Sequence, residues 1–95
     1  MTAPESSAGG PAALFVQVLT TTDSEAAAAQ IAQVLVAERL AGCVQIAGPV
    51  QSIYHWQGQI DRAREWLCTA KCRQADFARV EAAIRAVHPY ETPEI

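Results

Sequence analysis

The chain has 95 residues, 51% of them hydrophobic, and its seven basic and ten acidic residues give a formal net charge of -3. This length suits one domain around a single core and excludes a second domain. Because no block of like charges supplies the cationic field that phosphate groups require, we expect no nucleic-acid partner.

Residues 1–13, MTAPESSAGGPAA, are small and polar and lack the basic start and apolar run of a secretory signal. We therefore predict a disordered N-terminal tail, followed by one domain over residues 14–95. No later apolar run is long enough to span a bilayer, so we expect no membrane association. The three cysteines, Cys43, Cys68 and Cys72, are an odd number in a chain without an export signal. We expect free thiols, no disulfide and a cytoplasmic location.

The first two predicted elements are a strand and a helix. The segment LFVQVLT, Leu14–Thr20, is short, apolar and bounded by turn residues, which is typical of a central strand. Thr22 stands three residues before Glu25, a capping-box spacing, and apolar residues then recur at helical spacing. Gly42 can adopt the left-handed backbone conformation that ends many helices. The pattern therefore predicts a helix over roughly Ser24–Ala41.

A long β-hairpin is predicted next. β-branched and aromatic residues return over Cys43–Trp56, where Gly48-Pro49 predicts a bend or bulge. Gln57-Gly58 supplies the turn, and Ile60–Cys72 forms the returning strand. Alternation along this strand places Trp66, Cys68, Ala70 and Cys72 on one face and Leu67, Thr69 and Lys71 on the other.

A second helix follows the hairpin. Its apolar stripe consists of Phe77, Val80, Ile84 and Val87. Glu81 and Arg85 are spaced to pair across one turn on the outside of the helix. Pro89 ends the helix at or near His88.

The element order β-α-β-β-α predicts an α+β fold. One strand after Pro93 would complete the ferredoxin-like arrangement βαββα(β), with both helices on one face of an antiparallel sheet. That strand would pair with Leu14–Thr20, so its loss would leave a hydrophobic edge uncovered. We expect that Pro93–Ile95 only begins a truncated final strand and that the natural protein runs further.

Four strings, ERLAGCVQI, SIYHWQG, CTAKC and HPYETPEI, occur in this order along the chain. In order and spacing they resemble the CutA family, the divalent-cation tolerance proteins, over nearly all of Phe15–Ile95. The resemblance implies a ferredoxin-like protomer in a tight homotrimer that forms by strand pairing between long hairpins. It also implies binding of copper and other divalent cations, a shape similar to the PII signalling proteins and no established catalytic reaction.

The chain departs from this family pattern at two positions. Copper-binding members carry a cysteine after the first strand and a second histidine beside the HPY motif, where this chain has Thr20 and Val87. The strongest soft ligands are therefore missing. We expect no obligatory cofactor and at most weak binding of Cu²⁺ or another divalent cation.

The length of the hairpin agrees with an oligomer. Arms of roughly 13 residues reach ~40 Å at the rise of a β-strand, which exceeds what a domain of this size needs. Tyr54 and Trp56 near the tip favour contact with a neighbouring chain, because exposed aromatic residues on a long edge invite pairing.

The cysteines and histidines are the soft metal ligands to consider. Cys68 and Cys72 lie four strand positions apart, or ~13 Å, which is too far to share one ion. We interpret them, and Cys43, as core thiols. His88 at the end of the second helix is the candidate metal ligand. The alternative is that His88 caps the helix as an imidazolium. His55 is interpreted as a solvated or interface residue.

Lys71 is the only lysine in the chain and lies within a strand, where lysine is disfavoured. The family resemblance implies that it faces a cleft between protomers, which would be lined by Tyr54, Trp56, Lys71, His88, Tyr90 and Glu91. A lysine balanced by Glu91 among aromatic faces suits a small anion or polar ligand as much as a cation. The alternative is an internal salt bridge that locks the trimer.

No serine or cysteine stands in a nucleophile motif, and no glycine-rich loop follows a strand, so we expect no enzyme. Our first hypothesis is a trimeric cytosolic protein that binds divalent cations in metal tolerance or homeostasis. The second is a PII-like sensor that holds a small anionic or polar ligand in the intersubunit cleft. A ligand-free assembly scaffold is the third.

Overall fold

Three strands and two helices form residues 14–95, which are the part of the chain that the computed structural model describes. Their bounds are β1 Phe15–Thr22, α1 Glu25–Ala37, β2 Cys43–Trp56, β3 Gln59–Arg73 and α2 Phe77–Val87, with a short 3-10 turn at Gln74–Asp76. The predicted disordered tail, residues 1–13, lies outside the described residues. Neither helix has both the length and the hydropathy to cross a membrane in the described part of the chain.

The sheet is antiparallel with the strand order β1-β3-β2, which confirms the predicted α+β fold. β3 is central, and its residue Cys68 pairs with Thr20 on one side and Ile46 on the other. Within residues 14–95, no strand pairs with the other edge of β1. The Thr20 hydroxyl instead donates a hydrogen bond of 2.7 Å to the carbonyl of Glu94 beside that edge.

The core lies between the two helices and one face of the sheet. The predicted alternation along β3 is confirmed, because Cys68, Ala70 and Cys72 are buried together. Val18 joins them from β1. The helices complete this cluster with Ala28, Ile31, Leu35, Val80 and Ile84. Both helices therefore cover the same face of the sheet, which leaves the opposite face free of helices.

Helix α1 begins at a different cap from the predicted one. The Ser24 side chain accepts a hydrogen bond from the Ala27 amide at 3.1 Å, so Ser24 is the N-cap. The capping box predicted from Thr22 is wrong, because the Thr22 hydroxyl donates to the Ser24 carbonyl at 2.8 Å instead. Thr22 is fully buried beneath the start of the helix.

Helix α1 also ends four residues before the predicted Ala41. Arg39, with φ 59°, is the left-handed residue, and Gly42 is not. The Leu40 amide donates to the Leu35 carbonyl at 2.9 Å and the Arg39 amide to the Val36 carbonyl at 3.0 Å, the pattern of a Schellman motif. Leu40 is thereby turned into the core, and its burial offsets the strain of a left-handed arginine.

The hairpin β2–β3 contains both predicted irregularities. The turn residues Gln57 and Gly58 have φ of 50° and 77°, which suits a tight two-residue hairpin turn. The register shifts between Ala47 and Val50, which confirms the bulge at Gly48-Pro49. A Cβ on Gly48 would lie 2.5 Å from the Trp66 ring, so the bulge brings the backbone directly onto the indole.

Helix α2 agrees with its predicted stripe at its centre. Val80 and Ile84 are fully buried, whereas Phe77 at the start is 39% exposed. Arg85 Nη2 lies 3.6 Å from Glu81 Oε2 on the outer side of the helix, so the predicted ion pair is present. The helix ends at Val87 with His88 as its C-cap residue, which confirms the predicted end at or near His88.

Replacement of Gly48 by alanine should destabilise the protein. The added methyl group collides with the Trp66 indole, and such overpacking costs about 1–3 kcal/mol of the free energy of unfolding. Gly42→Ala is the matched control, because a methyl group added at Gly42 would meet nothing within 4 Å, and it should change stability by less than about 0.5 kcal/mol. Urea denaturation followed by tryptophan fluorescence measures both. Equal midpoints for the two variants would contradict the role of the Gly48–Trp66 contact.

Candidate functional site

An open cleft of about 1050 Å³ lies on the face of the sheet that carries no helix. Alternation in β1 and β3 places Leu19 and Leu67 on this face, opposite to the core residues beside them. The outer half of the hairpin forms one wall, and the closing segment of residues 90–95 forms the other. The cleft thus lies where the sheet, the hairpin and the chain end meet.

Four of the six predicted cleft residues line this cleft. Tyr54 and Trp56 contribute from the hairpin, and Tyr90 and Glu91 from the closing segment. The resemblance implied a cleft between protomers. In the structure, a single chain brings these four residues together.

Lys71 and His88 are not among the lining residues. Lys71 is exposed and lies four strand positions beyond Leu67, roughly 13 Å along β3. Its cross-strand neighbours are Gln17 and Cys43. Among the described residues, Lys71 forms no salt bridge, so the predicted pairing with Glu91 does not occur within one chain.

His88 is buried, and both of its ring nitrogens are engaged. Nε2 lies 2.9 Å from the carbonyl of Thr21, and Nδ1 accepts a hydrogen bond of 3.1 Å from the Tyr90 amide. With Nδ1 as the acceptor, Nε2 is the ring nitrogen that donates to the Thr21 carbonyl. His88 is the C-cap residue of α2, and its ring contacts the backbone of Thr21 and Tyr90. A metal ion at His88 would have to displace Thr21 or Tyr90.

The cysteines and His55 form no metal site either. Cys68 and Cys72 are buried, as predicted, whereas Cys43 is only half-buried and lies outside the core cluster. Burial raises the pKa of the Cys68 thiol, which disfavours the thiolate that binds soft metals. His55 is exposed on the outer hairpin. In residues 14–95, no group of three or more His, Cys, Asp or Glu side chains is arranged to hold a metal.

A tyrosine–glutamate pair joins the closing segment to the sheet. The Tyr90 hydroxyl donates a hydrogen bond of 2.7 Å to Oε2 of Glu65, whose exposed fraction is only 7%. The His88 ring packs edge-on against Tyr90, with 4.8 Å between ring centroids. Burial, followed by the hydrogen bond and charge of Glu65, raises the pKa of Tyr90. The pair holds one wall of the cleft against β3.

Glu65 is the residue that the sequence prediction missed. It lies within β3 on the same face as Leu67, and glutamate is disfavoured inside strands. The argument that drew attention to Lys71 therefore applies equally to Glu65. Only the fold, however, places Tyr90 beside it.

The cleft is acidic. Its carboxylates are Asp61, Glu65, Glu91 and Glu94, and no lysine, arginine or histidine of the described residues lines it. Without Lys71, the cleft has no positive charge with which to attract an anion. Its electrostatics favour a cation.

Comparisons with known proteins agree on one family. Residues 16–95 match the family described as "CutA1 divalent ion tolerance protein". A Thermus thermophilus protein named divalent-cation tolerance protein CutA is 44% identical over 78 residues, which cover 82% of this chain and 76% of that protein. Mouse protein CutA is 36% identical over 87 residues, or 92% of this chain. The match covers 47% of the mouse protein, so the chain spans about half of its length.

The fold comparison gives the same answer. The solved structure of the divalent cation tolerance protein from Thermus thermophilus superposes with a TM-score of 0.82 at 41% sequence identity. The superposition covers 85% of this chain and 79% of that one.

Tyr90→Phe should destabilise the protein, because it leaves the buried Glu65 carboxylate without its hydroxyl donor. The expected loss is about 1–3 kcal/mol in the free energy of unfolding near neutral pH. Since the folded-state pKa of Tyr90 is raised, its contribution is fully present below the unfolded-state pKa of about 10 and is lost as the pH rises further.

Denaturation at a series of alkaline pH values measures this effect. Wild-type stability should fall more steeply above pH ~10 than that of Tyr90→Phe, because only the wild type can lose the Tyr90 proton. Tyr54→Phe is the matched control, since Tyr54 is 40% exposed, and it should retain the wild-type profile. Parallel profiles for the wild type and Tyr90→Phe would refute the assignment.

Proposed function

The chain belongs to the CutA1 divalent ion tolerance family, and from this premise we propose that it binds divalent cations as a homotrimer and contributes to divalent-cation tolerance. We propose a cytoplasmic location, which its free cysteines support. We also propose that it acts by binding and not by catalysis.

The observation that carries the cation-binding proposal is the charge of the cleft. Four carboxylates line it and no basic side chain of residues 14–95 does. Oxygen ligands suit hard cations such as Ca²⁺, Mg²⁺ and Mn²⁺. Thr20 and Val87 replace the soft family ligands, and burial disfavours the thiolate of Cys68, so we propose weak binding without selectivity for copper.

Exposed apolar side chains on the outer hairpin support the trimer. Ile53, Trp56 and Ile60 are 59%, 58% and 66% exposed, and Tyr54 is 40% exposed. The molecule measures 52 × 25 × 21 Å, and β2 is an edge strand of the sheet. A long edge strand with exposed apolar side chains pairs with another chain or aggregates unless it is covered. Strand pairing between hairpins covers it.

The sensor hypothesis is retained for polar ligands. Binding of an anionic ligand depends on Lys71, which does not line the cleft of a single chain. A second chain would have to bring a lysine to the cleft for an anion to bind. The ligand-free scaffold is the alternative that follows if neither ions nor small molecules bind.

The trimer predicts a solution mass of three chains of 10.2 kDa each. Replacement of Ile53 and Trp56 together by glutamine should shift the protein to single chains, because it removes apolar surface that the proposed interface buries. Val36→Gln is the control, since Val36 is also exposed, at 47%, but lies on α1. Size-exclusion chromatography with light scattering measures the masses. A monomeric wild type would contradict the trimer, and a variant of Ile53 and Trp56 that stays trimeric would contradict the proposed hairpin interface.

Divalent cations should bind saturably to the metal-free protein. We expect Mn²⁺ and Ca²⁺ to bind with dissociation constants of about 1 mM or lower, equivalent to ~4 kcal/mol or more. Glu91→Gln should weaken binding by about threefold, since one exposed carboxylate is worth up to ~1 kcal/mol. Glu38→Gln makes the same charge change outside the cleft and should have little effect. Isothermal titration calorimetry with Mn²⁺, Ca²⁺ and Cu²⁺ measures these affinities. An absence of saturable binding for all three ions would eliminate the metal role.

A further inference from the structure

The one lysine of the chain, Lys71, lies directly opposite a cysteine in the sheet. The register of β2 and β3 pairs it with Cys43, and that of β1 and β3 pairs it with Gln17 on its other side. Directly opposite residues of an antiparallel pair point to the same face, with Cβ atoms about 4.5–5.5 Å apart. The thiol and the amine are therefore neighbours on the face of the sheet that carries no helix.

Both groups are accessible in the single chain. Lys71 is exposed, and among the described residues its amine enters no salt bridge. Cys43 is half-buried at the start of β2, beside the exposed Gly42, and lies outside the core cluster. Cys68 and Cys72 face the core instead, where burial raises the pKa of both thiols. Of the three thiols, Cys43 is the one that an external reagent can reach.

A thiol beside an amine can relay an acyl group to it. The thiolate attacks the carbonyl carbon of a thioester, R–CO–SR′, and expels R′SH, so that the acyl group is bound to the protein's sulfur. The unprotonated amine then attacks the same carbonyl carbon and the C–S bond breaks. The proton lost by nitrogen restores the thiol. An amide replaces a thioester in this second step, so the transfer runs from sulfur to nitrogen and consumes no oxidant or reductant.

We propose that Lys71 is a modification site that takes acyl groups from small thioesters through Cys43. Cys43 receives the acyl group first, and the cross-strand register holds it within reach of the flexible lysine side chain. The second step is then intramolecular, which raises the effective concentration of the reacting groups. Acylation removes the positive charge of the lysine. Neither cation binding nor trimer formation is needed for this transfer.

Mass spectrometry of the folded protein in its native assembly measures the transfer. Incubation with S-acetyl-N-acetylcysteamine, a small neutral thioester, should acetylate Lys71 in the wild type about tenfold faster than in Cys43→Ser. Acetylation of the N-terminal α-amino group in the same samples is the internal reference, and its rate should be equal in both proteins. Equal rates at Lys71 for the wild type and Cys43→Ser would overturn the proposal.

A thiol moved to the other side of Lys71 provides a second test. Gln17→Cys in the Cys43→Ser background places a thiol opposite Lys71 from β1, so it should restore at least about half of the lost acetylation rate. Gln33→Cys in the same background is the matched control, because Gln33 is exposed on α1 and away from this face, and it should restore nothing. Equal rates for these two variants would refute the role of the cross-strand position.

Unfolding by urea separates proximity from the intrinsic reactivity of the two groups. The strand register is lost in the unfolded chain, so the advantage of the wild type over Cys43→Ser at Lys71 should fall to less than about twofold. An advantage that persists unchanged in urea would contradict the assignment, because the folded sheet would not be its cause.

Discussion

The position of β3 between β1 and β2 is the constraint on which the rest of the structure depends. Hydrogen bonds on both sides fix its register, and the alternation of side chains then fixes which residues face the helices. Cys68 and Ala70 enter the core, while Glu65 and Leu67 face the cleft. A shift of the β3 register by one residue would turn Glu65 and Leu67 toward the helices and Cys68 and Ala70 toward the cleft. The core and the candidate site are therefore specified by the same register.

The closing segment is bound to this sheet by polar contacts and not by a strand ladder. The buried His88 ring contacts the backbone of Thr21, and Tyr90 donates to Glu65. The Tyr90 amide also donates to the His88 ring, so the three contacts hold one another in place. Such linked polar groups are costly to break one at a time, because each leaves a buried partner unsatisfied. They give the cleft a fixed wall at the point where helix α2 ends.

The chemistry of the cleft follows from which charged residues the fold assembles. Carboxylates from β3 and the closing segment meet there, whereas Lys71 lies further along β3 and outside the lining. His88, the candidate soft ligand, is engaged in hydrogen bonds through both of its nitrogens. The result is an acidic site with oxygen ligands and aromatic walls. Oxygen ligands favour hard cations over copper.

Periodicity in the sequence determined the elements and their order, because burial of one face imposes a period of two on a strand and of 3.6 on a helix. It also located the hairpin turn at Gly58 and the bulge at Gly48, where local backbone chemistry suffices. The end of helix α1 was not predictable in this way, since the burial of Leu40 outweighs the preference for a left-handed glycine. The Glu65–Tyr90 contact joins residues 25 positions apart, and the exclusion of Lys71 depends on distance along a folded sheet. Only the tertiary structure decides such contacts, because sequence patterns carry local periodicity and not the packing of distant segments.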